Sequence, residues 1–122
     1  MILADSSIWI DHMRKAAERF QTLLERSEIF CHPCIIGELA CGTLAHRSIF
    51  PRNLTILPQP ALATDAEVLS LIELHRLMGR GIGYVGMHLI ASMMREPGSL
   101  LLTTDHRLAE AAKRLGVCAE PL

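Results

Sequence analysis

The chain has 122 residues, half of them hydrophobic and a fifth charged, with a formal net charge of −1. This suits one domain over residues 1–122 with a core of its own, and it excludes a disordered chain as well as a strong overall field for nucleic acid, though not a local basic rim. No apolar run reaches the ~18 residues of a membrane span and no charged leader opens the chain, so a cytoplasmic protein whose four cysteines are thiols is expected.

Ile2, Leu3 and Ala4 run directly into Asp5, Ser6 and Ser7. A short apolar run closed by a polar cluster suits a strand buried on both faces, as in a parallel sheet. Ligands of such sheets bind beyond the carboxyl ends of the strands, which puts Asp5 at the rim where chemistry can be done. Ser6 and Ser7 suit the start of a short helix. A second helix is expected where Ala16, Ala17, Phe20, Leu23 and Leu24 share a face. Ile29, Phe30 and Cys31 read as a short strand, and Pro33 opens a helix over about 34–45 that carries Glu38. Residues 46–60 read as irregular, punctuated by Pro51, Pro58 and Pro60.

Thr64-Asp65-Ala66-Glu67 matches a capping box. Val68, Leu69, Leu71, Ile72 and Met78 then form an apolar face, ended by Gly79, Gly81 and Gly83. Residues 84–94 are apolar almost all round, which predicts a helix buried on most sides. After a turn at Glu96-Pro97-Gly98, the opening pattern returns: Leu100, Leu101 and Leu102 lead into Thr103, Thr104 and Asp105. A helix with Leu108, Ala111, Ala112 and Leu115 on its face follows, stops at Gly116, and leaves 117–119 for a last short strand. Strand and helix signals alternate, so the class is α/β: a central, mainly parallel sheet flanked by helices.

If the two strands that end in aspartate are parallel neighbours, Asp5 and Asp105 face one cleft. Glu38 has Cys34, Cys41, Gly42 and Ala45 on its own helical face, small enough to let that face approach the sheet. Each acid also has a plainer reading: an Asp before a helix suits an N-cap, and a Glu on an amphipathic helix suits solvent. Together the three carboxylates repel unless a cation neutralises them, and oxygen-only ligands suit Mg²⁺ or Mn²⁺.

Residues 1–11, Ile36-Gly37-Glu38-Leu39, the stretch from Gly81 to Ser92 and Leu102-Thr103-Thr104-Asp105-His106-Arg107-Leu108 resemble, in order, the successive motifs of PIN-domain ribonucleases. More narrowly they resemble the VapC-type toxins of bacterial toxin–antitoxin modules, over nearly the whole chain. The resemblance implies a Mg²⁺- or Mn²⁺-dependent endoribonuclease acting on RNA such as tRNA or rRNA. It also implies a homodimer neutralised by a cognate antitoxin, in a larger assembly that reaches DNA only through the antitoxin. Carried over by position, Asp5, Glu38 and Asp105 are metal-ligating and catalytic. Ser6, Ser7, Thr103 and Thr104 would hydrogen-bond a ligand, a water or a phosphate, and Arg107 would reach a phosphate. The implied chemistry is in-line attack of water on phosphorus, with the ion offsetting charge in the transition state.

One position departs from the pattern. The family has an Asp at the start of the buried helix where this chain has Gly86. Met87 is too soft for a hard cation, and His88 points about 200° round the helix from position 86. Weaker metal binding and reduced cleavage are expected, from either an inactivated variant that escaped its own toxicity or a natural degenerate member. The alternative is a catalytically dead module that binds antitoxin.

Cys31-His32-Pro33-Cys34 has the spacing of a thiol redox pair between a strand and a helix, a rival enzyme class that needs an exposed, acidified first cysteine. A zinc site completed by Cys41 and His46 lacks a second paired-ligand spacing. Trp9 and Tyr84 suit base stacking, or else core or dimer packing. His75 suits a core or interface position, and Arg14, Lys15 and Arg19 form a modest basic patch with an exposed helix face as its simpler reading.

Overall fold

The structure is a computed structural model that describes residues 1–42 and 50–122, with the side chains of 50–52 left aside. Three strands form one parallel sheet in the order β2-β1-β3: β1 (Ile2–Ala4), β2 (Ile29–Phe30) and β3 (Leu100–Leu102). Ile2 pairs with Ile29 and Leu100, Leu3 with Phe30 and Leu101, and Ala4 with Leu102. The central strand is short and apolar because it is covered on both faces. Leu3, Ala4, Ile29 and Leu101 are fully buried, and each large side chain so placed contributes about 1.5–3 kcal/mol by leaving water. The expected fourth strand at 117–119 is only one bridge, Leu101 to Cys118.

Helices fill the connections. α1 (Ser6–Arg14) and α2 (Glu18–Glu25) follow β1, and Trp9 on α1 packs edge-on against Phe20 of α2, with ring centroids 4.9 Å apart. α3 (Pro33–Cys41) follows β2 and has Pro at its first position, where the missing N–H has no partner to lose. It stops at Gly42, before the expected end at 45; residues 43–49, including His46, lie outside the described residues. The run expected to be irregular contains a six-residue helix, α4 (Phe50–Thr55), with Leu54 buried in the core.

α5 (Asp65–His75) starts with the expected capping box: Glu67 N–H donates to Thr64 Oγ1 and Thr64 N–H to Glu67 Oε1. It ends earlier than the glycines suggested. Arg76 adopts a left-handed conformation (φ 52°), costing about 1 kcal/mol for a residue with a Cβ, and this turns Leu77 fully into the core. α6 (Tyr84–Met94) is the buried helix its composition predicted, with Met87, Leu89, Ile90, Ala91, Ser92 and Met93 out of solvent. α7 (His106–Arg114) buries Leu108, Ala111 and Ala112 and ends at Gly116, whose positive φ of 76° lets Val117 N–H donate back to Ala112 O.

Candidate active site

Asp5 ends β1 and caps α1. Its Oδ1 accepts the Ser6 N–H at 2.7 Å, so the plain N-cap reading is true of it. Its other oxygen does something an N-cap does not require: Oδ2 accepts the Thr103 hydroxyl, also at 2.7 Å, from the end of β3. Thr103 Oγ1 in turn accepts the Asp105 N–H at 3.1 Å. One hydroxyl therefore ties the ends of two parallel strands together, a contact made possible by the Ala4–Leu102 register. Beside it the Thr104 N–H donates to Ser7 Oγ at 3.4 Å.

Glu38 comes from α3 and lies in the field of Asp5. Partial burial, and then the Asp5 charge, push its carboxyl above the usual range, while a hydrogen bond from the Ser6 side chain pulls it back. Asp105 caps α7, its Oδ1 accepting the N–H of Arg107 at 3.0 Å and of Leu108 at 3.2 Å. Its Oδ2 has no hydrogen bond among the described residues. The Arg107 side chain is laid across the backbone of Gly81, where a Cβ would overlap it, so it lies against the glycine-rich turn.

The side chains of Asp5, Glu38, Ser6 and Thr103 thus converge, with Ser7, Thr104 and the Asp105 backbone beside them. No three His, Cys, Asp or Glu among the described residues lie close enough together to hold one metal ion. The donor set nevertheless fits a hard cation in part: Asp5 and Glu38 are oxygen ligands whose mutual repulsion a cation would relieve, and Mg²⁺ commonly takes one or two carboxylates and keeps several waters. Position 86 offers no further carboxylate. A Cβ there would come within 3.0 Å of Ile82 Cγ2 and 3.1 Å of Leu108 Cδ1, so the space beside Gly86 is apolar and filled.

Ribonuclease VapC32 of Mycobacterium tuberculosis, in strains CDC 1551/Oshkosh and ATCC 25618/H37Rv, is 42% identical to this chain over 117 residues, covering 96% of this chain and 94% of the relative. This chain belongs to the VapC-type PIN-domain ribonuclease toxins. No protein-family model matches it. The parallel α/β architecture agrees with that membership, which carries the general activity of a toxin ribonuclease. No helix among the described residues is long and apolar enough to cross a membrane.

The rival redox reading fails on its own terms. Cys31 is buried and its thiol is pushed up to about 12, while Cys34 is raised by burial and then by Glu38 and Asp65. Neither is the exposed, acidified thiol that exchange chemistry needs. Trp9 is a core residue at 3% exposure, whereas Tyr84 is 46% exposed and is not part of the core.

Sequence reasoning missed a second polar cluster in this VapC-type domain. His32 caps α3, its Nδ1 accepting the Cys34 N–H at 3.0 Å, which leaves the proton on Nε2. That atom is buried without a partner among the described residues, and burial, and then His88, lower the imidazole to about 4. The His32 and His88 rings are 6.1 Å apart. His88 Nε2 lies 3.1 Å from Asp65 Oδ1, which also accepts the Tyr84 hydroxyl at 2.7 Å. These contacts, Tyr84 first, hold Asp65 below the usual carboxylate range. Two signals in the sequence pointed this way: a His directly before a Pro at a helix start, and Tyr84 and His88 four residues apart on one helical face. On the other side of the acids, Thr103 and Thr104 line a cavity of about 750 Å³ with Ile8, His12, Lys15 and Lys113.

Proposed function

We propose that this chain, as one PIN domain over residues 1–122, hydrolyses RNA phosphodiesters endonucleolytically with Mg²⁺ or Mn²⁺, and that Gly86 weakens the activity. The observation that carries this reading is the link from Asp5 Oδ2 through Thr103 Oγ1 to Asp105, with Glu38 brought into the field of Asp5 from a third segment. The Asp5 and Glu38 carboxylates repel one another there, a cost that a bound cation would relieve.

In this reading Asp5 and Glu38 hold the ion, with Asp105 beside them. When bound, the ion offsets the charge that develops on the phosphoryl oxygens and makes a nearby water more acidic. Thr103 and the Ser6 N–H fix the rotation of the Asp5 carboxylate, and the Ser6 hydroxyl lies beside both acids. Ser7 and Thr104 border the place of the reacting phosphate, and Arg107 approaches it by rotating off the glycine turn. Family membership supports a structured RNA such as tRNA or rRNA as substrate, a cytoplasmic setting, a homodimer, and a cognate antitoxin that mediates any contact with DNA.

The test incubates the full chain with tRNA and rRNA in Mn²⁺ and maps the ends produced. Cleavage is expected to stop on chelation and in Asp5→Asn and Glu38→Gln. A chain in which Asp5→Asn cuts as well as the unaltered protein sinks the reading. The apolar filling beside Gly86 favours a second reading, a catalytically dead module that binds antitoxin; it gains if no RNA is cut under any cation while the antitoxin is retained.

A further inference from the structure

Among the described residues, Tyr84 is the large aromatic that the core does not use. It opens α6, a helix otherwise buried on most sides, and is half-exposed. It is held from two directions. Its hydroxyl donates to Asp65 Oδ1, and its ring meets the His88 ring edge-on, with centroids 4.8 Å apart at 87°. A tethered ring has little rotamer freedom left to lose, so it can bind a flat ligand at small entropic cost. Beside it, Asp65 Oδ2 has no hydrogen bond among the described residues, although both donors crowd onto Oδ1. The pair therefore offers a stacking face with a free acceptor at its edge.

The place is as informative as the shape. His88, which meets Tyr84 edge-on, has its ring 6.1 Å from that of His32, the cap of α3, and Cys34 lies one turn before Glu38 on that helix. Neighbours one turn apart are about 5–6 Å from Cβ to Cβ, so the ring stands roughly a nucleotide's reach from the acid pair. Resting on the nuclease reading, we propose that Tyr84 and Asp65 form a recognition subsite for an unpaired nucleobase next to the cleaved phosphate, with Tyr84 stacking on the base and Asp65 Oδ2 accepting from an exocyclic amino group. Cytosine, adenine and guanine carry such a group. Uracil lacks that group and offers only its N3–H, flanked by two carbonyl oxygens that face the carboxylate, and is disfavoured. Tyr84 and Asp65 are then specificity residues, one for having an unpaired base at all and the other for which base it is.

The experiment measures binding, with cleavage prevented by EDTA: fluorescence anisotropy of labelled single-stranded oligo(C), oligo(A) and oligo(U) on the full chain, with sedimentation velocity in parallel. The chain is expected to prefer oligo(C) and oligo(A) over oligo(U) by about tenfold. Tyr84→Ala and Tyr84→Leu should weaken every oligomer by about 5- to 100-fold, while Tyr84→Phe, which keeps the ring, should change affinity by less than about threefold. Asp65→Asn keeps an oxygen for Tyr84 and His88 but turns the free acceptor into a donor, and should narrow the preference or reverse it toward oligo(U). Unchanged affinity in a folded Tyr84→Leu overturns the proposal, as does an unchanged base preference in Asp65→Asn. Loss of self-association with unchanged RNA affinity in Tyr84→Ala also overturns it, and assigns the ring to a contact between copies. In all three cases cleavage that still needs Asp5 leaves the nuclease reading standing. A chain that neither binds nor cuts RNA fails both.

Discussion

Gly86→Asp places a carboxylate at the start of α6, and the structure allows its two consequences to be separated. The first is steric. The new Cβ would meet Ile82 Cγ2 at 3.0 Å and the two Leu108 methyls at 3.1 and 3.5 Å. These are ends of flexible side chains, which must retreat by a few tenths of an ångström, and such overpacking costs about 1–3 kcal/mol. Leaving glycine in a helix recovers about 0.5–1 kcal/mol, and an acid in the first turn recovers about 0.3–1 kcal/mol. The net loss of stability should not exceed about 2 kcal/mol, which for a domain of this size keeps the fall in Tm below about 10 °C. The second consequence is electrostatic. One more negative charge about 4 Å from a bound cation contributes about 4 kcal/mol at a near-surface effective dielectric, before desolvation and screening reduce it. Mn²⁺ affinity should therefore rise about 10- to 1,000-fold, and RNA cleavage with it. Calorimetric Mn²⁺ titration and end-mapped cleavage read this, with Gly86→Asn as the control that crowds Ile82 and Leu108 equally without the charge. If folded Gly86→Asp and Gly86→Asn bind Mn²⁺ alike and cut RNA alike, the missing-carboxylate account is wrong.

Thr103→Val preserves shape but leaves Asp5 Oδ2 and the Asp105 N–H without the shared hydroxyl; urea denaturation should show a loss of about 1–3 kcal/mol, and cleavage should fall in parallel. Glu38 has its folded pKa raised, so its stabilising effect is present below the ordinary value of 4.5 and is lost as pH rises through the raised value. In EDTA, Glu38→Gln should accordingly be more stable than the unaltered chain at neutral pH, with the gap closing toward pH 4, and Mn²⁺ should reverse the order at neutral pH; equal stabilities at pH 7 and pH 4 would refute the like-charge coupling. His32 is the opposite case. Its folded pKa of about 4 lies below the ordinary 6.5, so its contribution is complete above 6.5 and drains away as pH falls toward 4, on the order of 3 kcal/mol in all. Denaturation at pH 7.0, 5.5 and 4.5 should show this slope, flattened in His32→Asn, which keeps a good cap for α3 but does not titrate.

The sheet was legible because its strands are buried on both faces and must be apolar without interruption. Leu3, Ala4, Leu101 and Leu102 carry that signal, and so does α6, which is buried on most sides. Helix ends were less legible, since they depend on what the chain must do next: α5 stops at His75 because Leu77 is wanted in the core, not because a glycine follows. At the candidate site, Asp5 and Asp105 stood out by their place after the strands. The sequence offered the N-cap role that both then fill, but it could not say that Asp5 would give its second oxygen to Thr103.

By itself, then, the sequence determined the class of fold and the place of Asp5 and Asp105 at the strand ends, since local patterning suffices for those. Only the tertiary structure decided how far the acids interact, what fills the space beside Gly86, and that His32, Asp65, Tyr84 and His88 meet at all. The reason is physical. Charge coupling, crowding and shared hydrogen bonds fall off within a few ångströms, and such distances between residues remote along the chain are set by how the helices pack on the sheet.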